Sequence, residues 1–156
     1  MSRHCYEWPR PAVTTDIAVF AERDGVLSIL LIQRGGEPFA GCWALPGGFL
    51  EETETLEACA ARELREETGL EAGSLCLFGA YSAPGRDPRG RTVTVAYWTR
   101  VKESSGATAA GDDAADCRWF ALDKLPALAF DHDKIVGDAV KSLGQAAAAA
   151  VGSDTD

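Results

Sequence analysis

The chain has 156 residues, 46% of them hydrophobic and 25% charged, a balance that suits one globular domain and leaves no room for a second. No run of about 18 apolar residues offers a membrane span, and the polar, Pro-bearing start is unlike a secretion signal. A formal charge of −9 argues against non-specific binding to nucleic acid or anionic membrane, so an anionic ligand must be met by local cations.

A short mobile arm of about residues 1–11 is expected to precede the first strand. Val13–Phe20 and Val26–Gln33 are rich in Val, Ile and Leu, and Arg23-Asp24-Gly25 carries the Asp-Gly signal of a hairpin turn between them. From Arg34 a loop delivers the chain to Gly47-Gly48. Pro46 fixes its own φ while the glycines free theirs, so this backbone can pass close to a bound ion and offer a carbonyl. A helix is predicted over Thr55–Thr68, with Gly69 as its stop. Leu75–Tyr81 and the longer Thr92–Val101 read as strands, and Ala107–Asp116 as a flexible acidic loop. Cys117–Phe120 reads as a short strand. Asp131–Val151 closes the chain as a helix favoured by its Ala146–Ala150 run, and the tail from about 152 to 156 should fray. Strands interleaved with two well-separated helices predict an α/β protein with a mixed sheet between helices.

Cys5, Cys42, Cys59, Cys76 and Cys117 form no CxxC pair, so they are expected to stay reduced in a cytoplasm without zinc or a disulfide framework. His4 and His132 are too few and too far apart for a histidine metal site. They are expected to be solvent-exposed or locally hydrogen-bonded.

The predicted helix carries the chemistry. At 3.6 residues per turn, Leu56, Cys59, Ala60 and Leu64 share one inward stripe, and Glu63 and Glu67 fall on it too, with Glu66 about 60° aside. Like charges at this spacing cost roughly 0.2–0.5 kcal/mol per pair, and acids late in a helix oppose its dipole by about 0.3–1 kcal/mol each. A divalent cation offsets that naturally, because clustered carboxylates are hard ligands.

Gly48, Glu54 and Arg62-Glu63-Leu64-Arg65-Glu66-Glu67-Thr68-Gly69-Leu70 resemble the Nudix box, Gx5Ex7REUxEExGU with U aliphatic, at every fixed position. The resemblance implies a Nudix fold, an α/β/α sandwich with a central mixed β-sheet, and hydrolysis of a nucleoside diphosphate linked to another group. It implies metal ligation by the Gly47 carbonyl with Glu63 and Glu67, and by Glu66 as a further ligand or orienting carboxylate. Glu54 and Arg62 would hold loop and helix in register. Mg²⁺ is the expected cofactor, with Mn²⁺ as a substitute.

Ser82–Arg91 carries Arg86, Arg89 and Arg91, whose guanidinium forks suit phosphate oxygens. The residues alone equally admit a basic turn satisfied by nearby acids. Trp43-Ala44-Leu45-Pro46-Gly47-Gly48-Phe49, the Pro84–Gly90 loop and Ala129-Phe130-Asp131-His132 resemble the prokaryotic ADP-ribose pyrophosphatase branch, over Val13 to Val140. That likeness implies cleavage of ADP-ribose to AMP and ribose 5-phosphate by a small-molecule enzyme, a homodimer if the family's usual assembly forms. The same signatures occur in regulators of NAD metabolism bearing a winged-helix domain, for which this chain is expected to be too short.

Arg34 is a candidate for phosphate contact or for positioning the loop. Asp112 and Asp113 are candidates for the general base or a late acidic ligand, against the reading of a solvated acidic loop, and the base stays unassigned. Tyr6, Trp8, Phe39, Trp43 and Phe130 include candidates to stack on adenine, against a core role for each. Two rival functions remain: a nucleoside triphosphate pyrophosphohydrolase of the sanitising type, and a module that senses ADP-ribose without cleaving it.

Overall fold

The Asp24-Gly25 turn, with φ of 51° and 77°, closes a hairpin between strand β1 (Ala12–Arg23) and strand β2 (Val26–Arg34). The structure, a computed structural model, describes residues 4–102 and 114–152. The remaining elements are β3 (Trp43–Ala44), β4 (Gly47–Phe49), α1 (Leu56–Thr68), β5 (Cys76–Tyr81), β6 (Thr92–Arg100), β7 (Ala114–Ala121) and α2 (His132–Gly152).

These strands make one sheet in the order β3-β2-β1-β6-β5, with β4 added to β1 and β7 to β2. β6 runs parallel to β1 from Ala12↔Thr92 to Phe20↔Arg100, whereas β1 and β2 pair antiparallel only from Phe20 to Arg23. Beyond that the hairpin strands splay. β4 then takes the start of β1 at Thr14–Asp16, and β3 takes the end of β2 at Ile32 and Gln33. The segment expected as a plain loop is thus wedged between two strands and contributes two short ones itself. Its Pro and glycines hide this locally, because the pairing partners lie far away in sequence.

β7 is longer than the expected Cys117–Phe120, since Ala114 and Asp116 pair with Arg34 and Gln33 across a bulge. The acidic loop expected over Ala107–Asp116 therefore ends earlier, and its residues 107–113 lie outside the described ones.

Residues Thr14–Ala21 of β1 are buried on both faces, as a strand covered by helices on two sides must be. Ile17 and Val19 point to the α1 layer with Leu30, Ala60, Leu64 and Tyr97. Ala18 and Phe20 point to the α2 layer with Ile135, Val136, Ala139 and Leu143. The architecture is an α/β/α sandwich around a mixed sheet. Polar tethers dock both helices: Tyr97 donates to Glu57 (3.0 Å), Trp98 Nε1 to Ser142 (2.9 Å) and Tyr81 to Asp138 (2.8 Å).

α1 is bounded by its own sequence. Thr55 Oγ1 accepts from the Ala58 amide, and Gly69 at φ 75° closes the last turn with its amide on the Arg65 carbonyl. Among the described residues no helix is long and apolar enough to cross a membrane.

Leu64 is the largest of the fully buried apolar side chains by which α1 packs on the sheet. Leu64→Ala should cost about 2–5 kcal/mol, read as a lower urea midpoint with an unchanged slope; a midpoint equal to that of the parent would refute this account of the α1 layer.

Candidate active site

The acidic end of α1 is compensated from within the chain. Arg62 forks onto Glu54 through Nε (3.0 Å) and Nη2 (2.6 Å), reaches Glu63 (2.7 Å) and Glu66 (3.3 Å) through Nη1, and donates to the Phe49 carbonyl (3.1 Å). One guanidinium thus ties β4, the loop before α1 and two helical carboxylates together. Beside the divalent cation expected from the sequence, Arg62 offsets part of the repulsion within this run of acids. The hydrogen bonds from Arg62 hold the Glu54 carboxyl down at about 2, and the same contacts raise Arg62 above its ordinary value.

Glu63 and Glu67 both line a cleft of about 540 Å³ at the splayed ends of β1 and β2, whereas Glu66 is not part of its lining and its side chain is 55% exposed. Burial pushes the Glu63 carboxyl up, with Arg62 opposing. At Gly48 a Cβ would meet the Glu63 carboxylate, so any side chain there would have to displace it. At Gly47 a Cβ would overlap the Thr15 backbone oxygen, which cannot move aside.

The segment before the box is held at each polar backbone atom the contacts reach. Leu45 donates its amide to His132 Nδ1 (3.0 Å), Pro46 accepts from the Ile17 amide (2.9 Å), and Gly47 donates its amide to Glu67 Oε2 (2.9 Å). Below it, Asp16 Oδ2 accepts from Thr94 Oγ1 (2.6 Å), and Asp16 Oδ1 lies 3.5 Å from His132 Nε2. His132 is 3% exposed, and its burial lowers its pKa. With Nδ1 accepting from Leu45, the proton of the neutral ring sits on Nε2, toward Asp16.

Arginines and aromatics from several elements also line the cleft. Arg86 forks onto Asp131 (2.9 and 2.6 Å) with only 4% of its side chain exposed, which pins the Ser82–Arg91 loop to the start of α2. Arg89 pairs with the buried Asp87 (2.8 Å), keeps 41% of its side chain exposed, and lies 4.9 Å over the Phe49 ring and 5.4 Å over Phe130. Arg34 donates through Nε to the Pro38 carbonyl (2.8 Å) and lies 4.8 Å over Phe130. Burial, and next the charge of Arg89, lower the Arg34 pKa. The charges of Asp87 and Glu67 act on Arg34 in the opposite sense.

The fold therefore gathers Gly47, Arg62, Glu63, Glu67, Arg34, Arg86 and Arg89 around one cleft. Arg91 is not part of the lining and donates to the Ser82 carbonyl, and Glu54 meets the cleft only through Arg62. Asp112 and Asp113 lie outside the described residues. Tyr6 and Trp8 are 50% and 74% exposed and do not line the cleft; Tyr6 carries the Arg10 guanidinium at 3.8 Å. Trp43 packs edge-on against Phe120 in the α2 layer, and Phe39 against Phe130.

Asp16 escaped the sequence reading of the site, and Phe49, Asp87, Asp131 and His132 entered it only as parts of motifs with no role given. His132 is neither exposed nor locally bonded, since its partner Leu45 lies 87 residues away. The signal available was the Ala129-Phe130-Asp131-His132 motif, which carried a resemblance but no role for the histidine.

The chemistry of the lining fits a hard divalent cation. Among the described residues no group of three His, Cys, Asp or Glu side chains is gathered for a metal. Two carboxylates and a backbone carbonyl nonetheless suit Mg²⁺ or Mn²⁺, which keep waters and take substrate phosphates for their remaining positions. The raised Glu63 carboxyl marks a place where a nearby cation would favour the charged form.

A profile of the NUDIX domain matches residues 10–139. An ADP-ribose pyrophosphatase of Methanocaldococcus jannaschii is 48% identical over 128 residues, 82% of this chain and 72% of that enzyme. The ADPR responsive transcriptional repressor NtrR of Acinetobacter baylyi is 37% identical over 141 residues, and the chain spans only 56% of its length. The NUDIX domain of Shewanella oneidensis NrtR, solved with ADP ribose, superposes with a TM-score of 0.81 at 33% identity, covering 87% of this chain and 90% of that one. A bifunctional NMN adenylyltransferase/ADP ribose pyrophosphatase from Francisella tularensis, solved with AMP and a Mn ion, superposes with a TM-score of 0.77 at 29% identity, covering 88% of this chain and 43% of that one.

The Glu54 carboxyl, held at about 2 against an ordinary 4.5, stabilises the fold fully above the ordinary value and ceases to as pH falls through the folded one. Glu54→Gln should therefore be less stable than the parent at pH 7, with the gap closing between about pH 4.5 and 2. Denaturant titrations at stepped pH measure it, and a gap independent of pH would show that Glu54 gains nothing from Arg62.

Proposed function

The chain belongs to the NUDIX domain family, and from that membership and the cleft we propose that it hydrolyses the diphosphate bridge of ADP-ribose, releasing AMP and ribose 5-phosphate. The observation that carries this reading is one cleft holding the box carboxylates Glu63 and Glu67 together with the guanidiniums of Arg34 and Arg89. A diphosphate needs both: cations for its oxygens and an acidic wall for a divalent metal. The 48% identity to an ADP-ribose pyrophosphatase and the likeness to a domain solved with ADP ribose support the choice of substrate.

In this reading Mg²⁺, with Mn²⁺ as a substitute, is held by Glu63, Glu67 and the Gly47 carbonyl, and supplies Lewis acidity toward the phosphate oxygens. Glu66, outside the lining, completes the acidic field from the rim. Arg62 keeps Glu63 and Glu54 in register with β4. Arg34 and Arg89 take the non-bridging oxygens, where a second anion would relieve the repulsion between their guanidiniums. Arg86, already saturated by Asp131, holds the loop that presents Arg89. Phe49 and Phe130 offer ring faces beside those cations, apolar surface of the kind a nucleoside covers. Water adds to one phosphorus while the bridging P–O bond breaks, and the two monophosphates leave.

Incubation with ADP-ribose and Mg²⁺ should release AMP, stop on addition of chelator, and exceed pyrophosphate release from nucleoside triphosphates. Dominant pyrophosphate release would make the chain a triphosphate pyrophosphohydrolase, and tight ADP-ribose binding without AMP would make it a sensor. Glu67→Gln should lower kcat by about 100-fold or more, the size expected when one electrostatic stabiliser is lost. Turnover equal to the parent at saturating Mg²⁺ would remove Glu67 from the metal site.

A further inference from the structure

His132 has a place in the molecule that no role assigned so far explains. It is the first residue of α2, on the opposite layer from the box helix, yet its ring reaches through to the segment that leads into the box. Nδ1 accepts the Leu45 amide at 3.0 Å, two residues before Gly47. Pro46, between them, has no amide of its own. Leu45 and Gly47 therefore supply the only two amides of this three-residue stretch, and they are held from opposite sides: Leu45 by α2 through His132, Gly47 by α1 through Glu67 Oε2 at 2.9 Å.

The histidine is also fixed from below. Its Nε2 faces Asp16 Oδ1 at 3.5 Å, Asp16 is anchored by Thr94 at 2.6 Å, and the backbone of Asp16 pairs with Gly47 in the β1–β4 ladder. At 3% exposure, with Nδ1 engaged, the ring has no free nitrogen to offer a water or a substrate. Its contacts are to backbone and to a structural carboxylate.

We infer that His132 is a positioning residue: through the Leu45 amide it sets where the Gly47 backbone stands relative to Glu63 and Glu67, so that α2 determines the geometry of a site carried by α1 and β4. The inference rests on the proposed metal site for its effect on turnover. Its structural half, the grip on Leu45, does not.

Two substitutions separate the two ring nitrogens. His132→Asn keeps an acceptor at the same bond distance from Cα as Nδ1, so it retains the Leu45 contact and loses the one to Asp16. His132→Gln carries its amide one carbon further, so it keeps a donor for Asp16 and loses the acceptor for Leu45. Four readouts are needed: amide hydrogen exchange at Leu45 in metal-free protein, the Mn²⁺ dissociation constant, kcat and KM for ADP-ribose, and the melting temperature.

His132→Asn should leave Leu45 protected and kcat and Mn²⁺ affinity within about threefold of the parent, even if its melting temperature drops. His132→Gln should expose the Leu45 amide, weaken Mn²⁺ binding and lower kcat by about 10-fold or more, the range seen when residues supporting a metal site are removed, with KM within about twofold. The inference is overturned if both variants lose kcat in step with their melting temperatures, if Gln serves as well as Asn, or if Leu45 exchange is indifferent to both. Should the parent itself release no AMP, the substrate reading fails alone, and Leu45 exchange and Mn²⁺ affinity still decide the role of His132.

Discussion

Between Leu45 and Gly48 the main chain runs so close to β1 and α1 that side chains are excluded at the two glycines, by the Thr15 backbone on one side and the Glu63 carboxylate on the other. This close approach is the constraint on which the rest of the site depends. It requires β1 and β2 to splay, because a continuous hairpin ladder would occupy the same edge of β1. It also requires α1 to lie directly over β4, which the Arg62 bonds to Glu54 and the Phe49 carbonyl enforce. Once those conditions hold, two carboxylates and the Gly47-Gly48 backbone share one cleft.

The electrostatics follow the same economy. A chain of net charge −9 that must accept a polyanion brings Arg34, Arg62, Arg86 and Arg89 to one cleft and engages several of them with internal acids. Arg62 is absorbed by three glutamates, Arg86 by Asp131 and Arg89 by Asp87. Buried or half-buried forks of this kind hold loops in place, since breaking one strands a charge away from water. Arg34 is held differently, over the Phe130 ring and on the Pro38 carbonyl, with the charges of Asp87 and Glu67 acting on it. Most of the arginines at the cleft thus build the site, and few remain to meet a ligand.

Much of the fold was readable locally, element by element. Thr55 and Gly69 bound α1 because capping is decided within a few residues, and Asp24-Gly25 marked the hairpin because only certain residues tolerate that turn. β3 and β4 were not readable: two or three residues around Pro46 have no periodicity, and their strand character comes wholly from partners elsewhere in the chain. The same holds for the first residues of β7, which are strand because β2 lies beside them.

The site divides along the same line. The register of Gly48, Glu54, Arg62, Glu63, Glu66 and Glu67 is a property of one helix and its approach, so the box could be read from spacing, and the resemblance supplied the chemistry expected of it. Which of those acids enters the cleft, which arginines are already spent, and the reach of His132 to Leu45 across 87 residues were decided only when two helices packed on opposite faces of one sheet. Periodicity along a chain specifies what one element presents. It cannot specify which distant element will stand against it, because that is settled by packing three layers together.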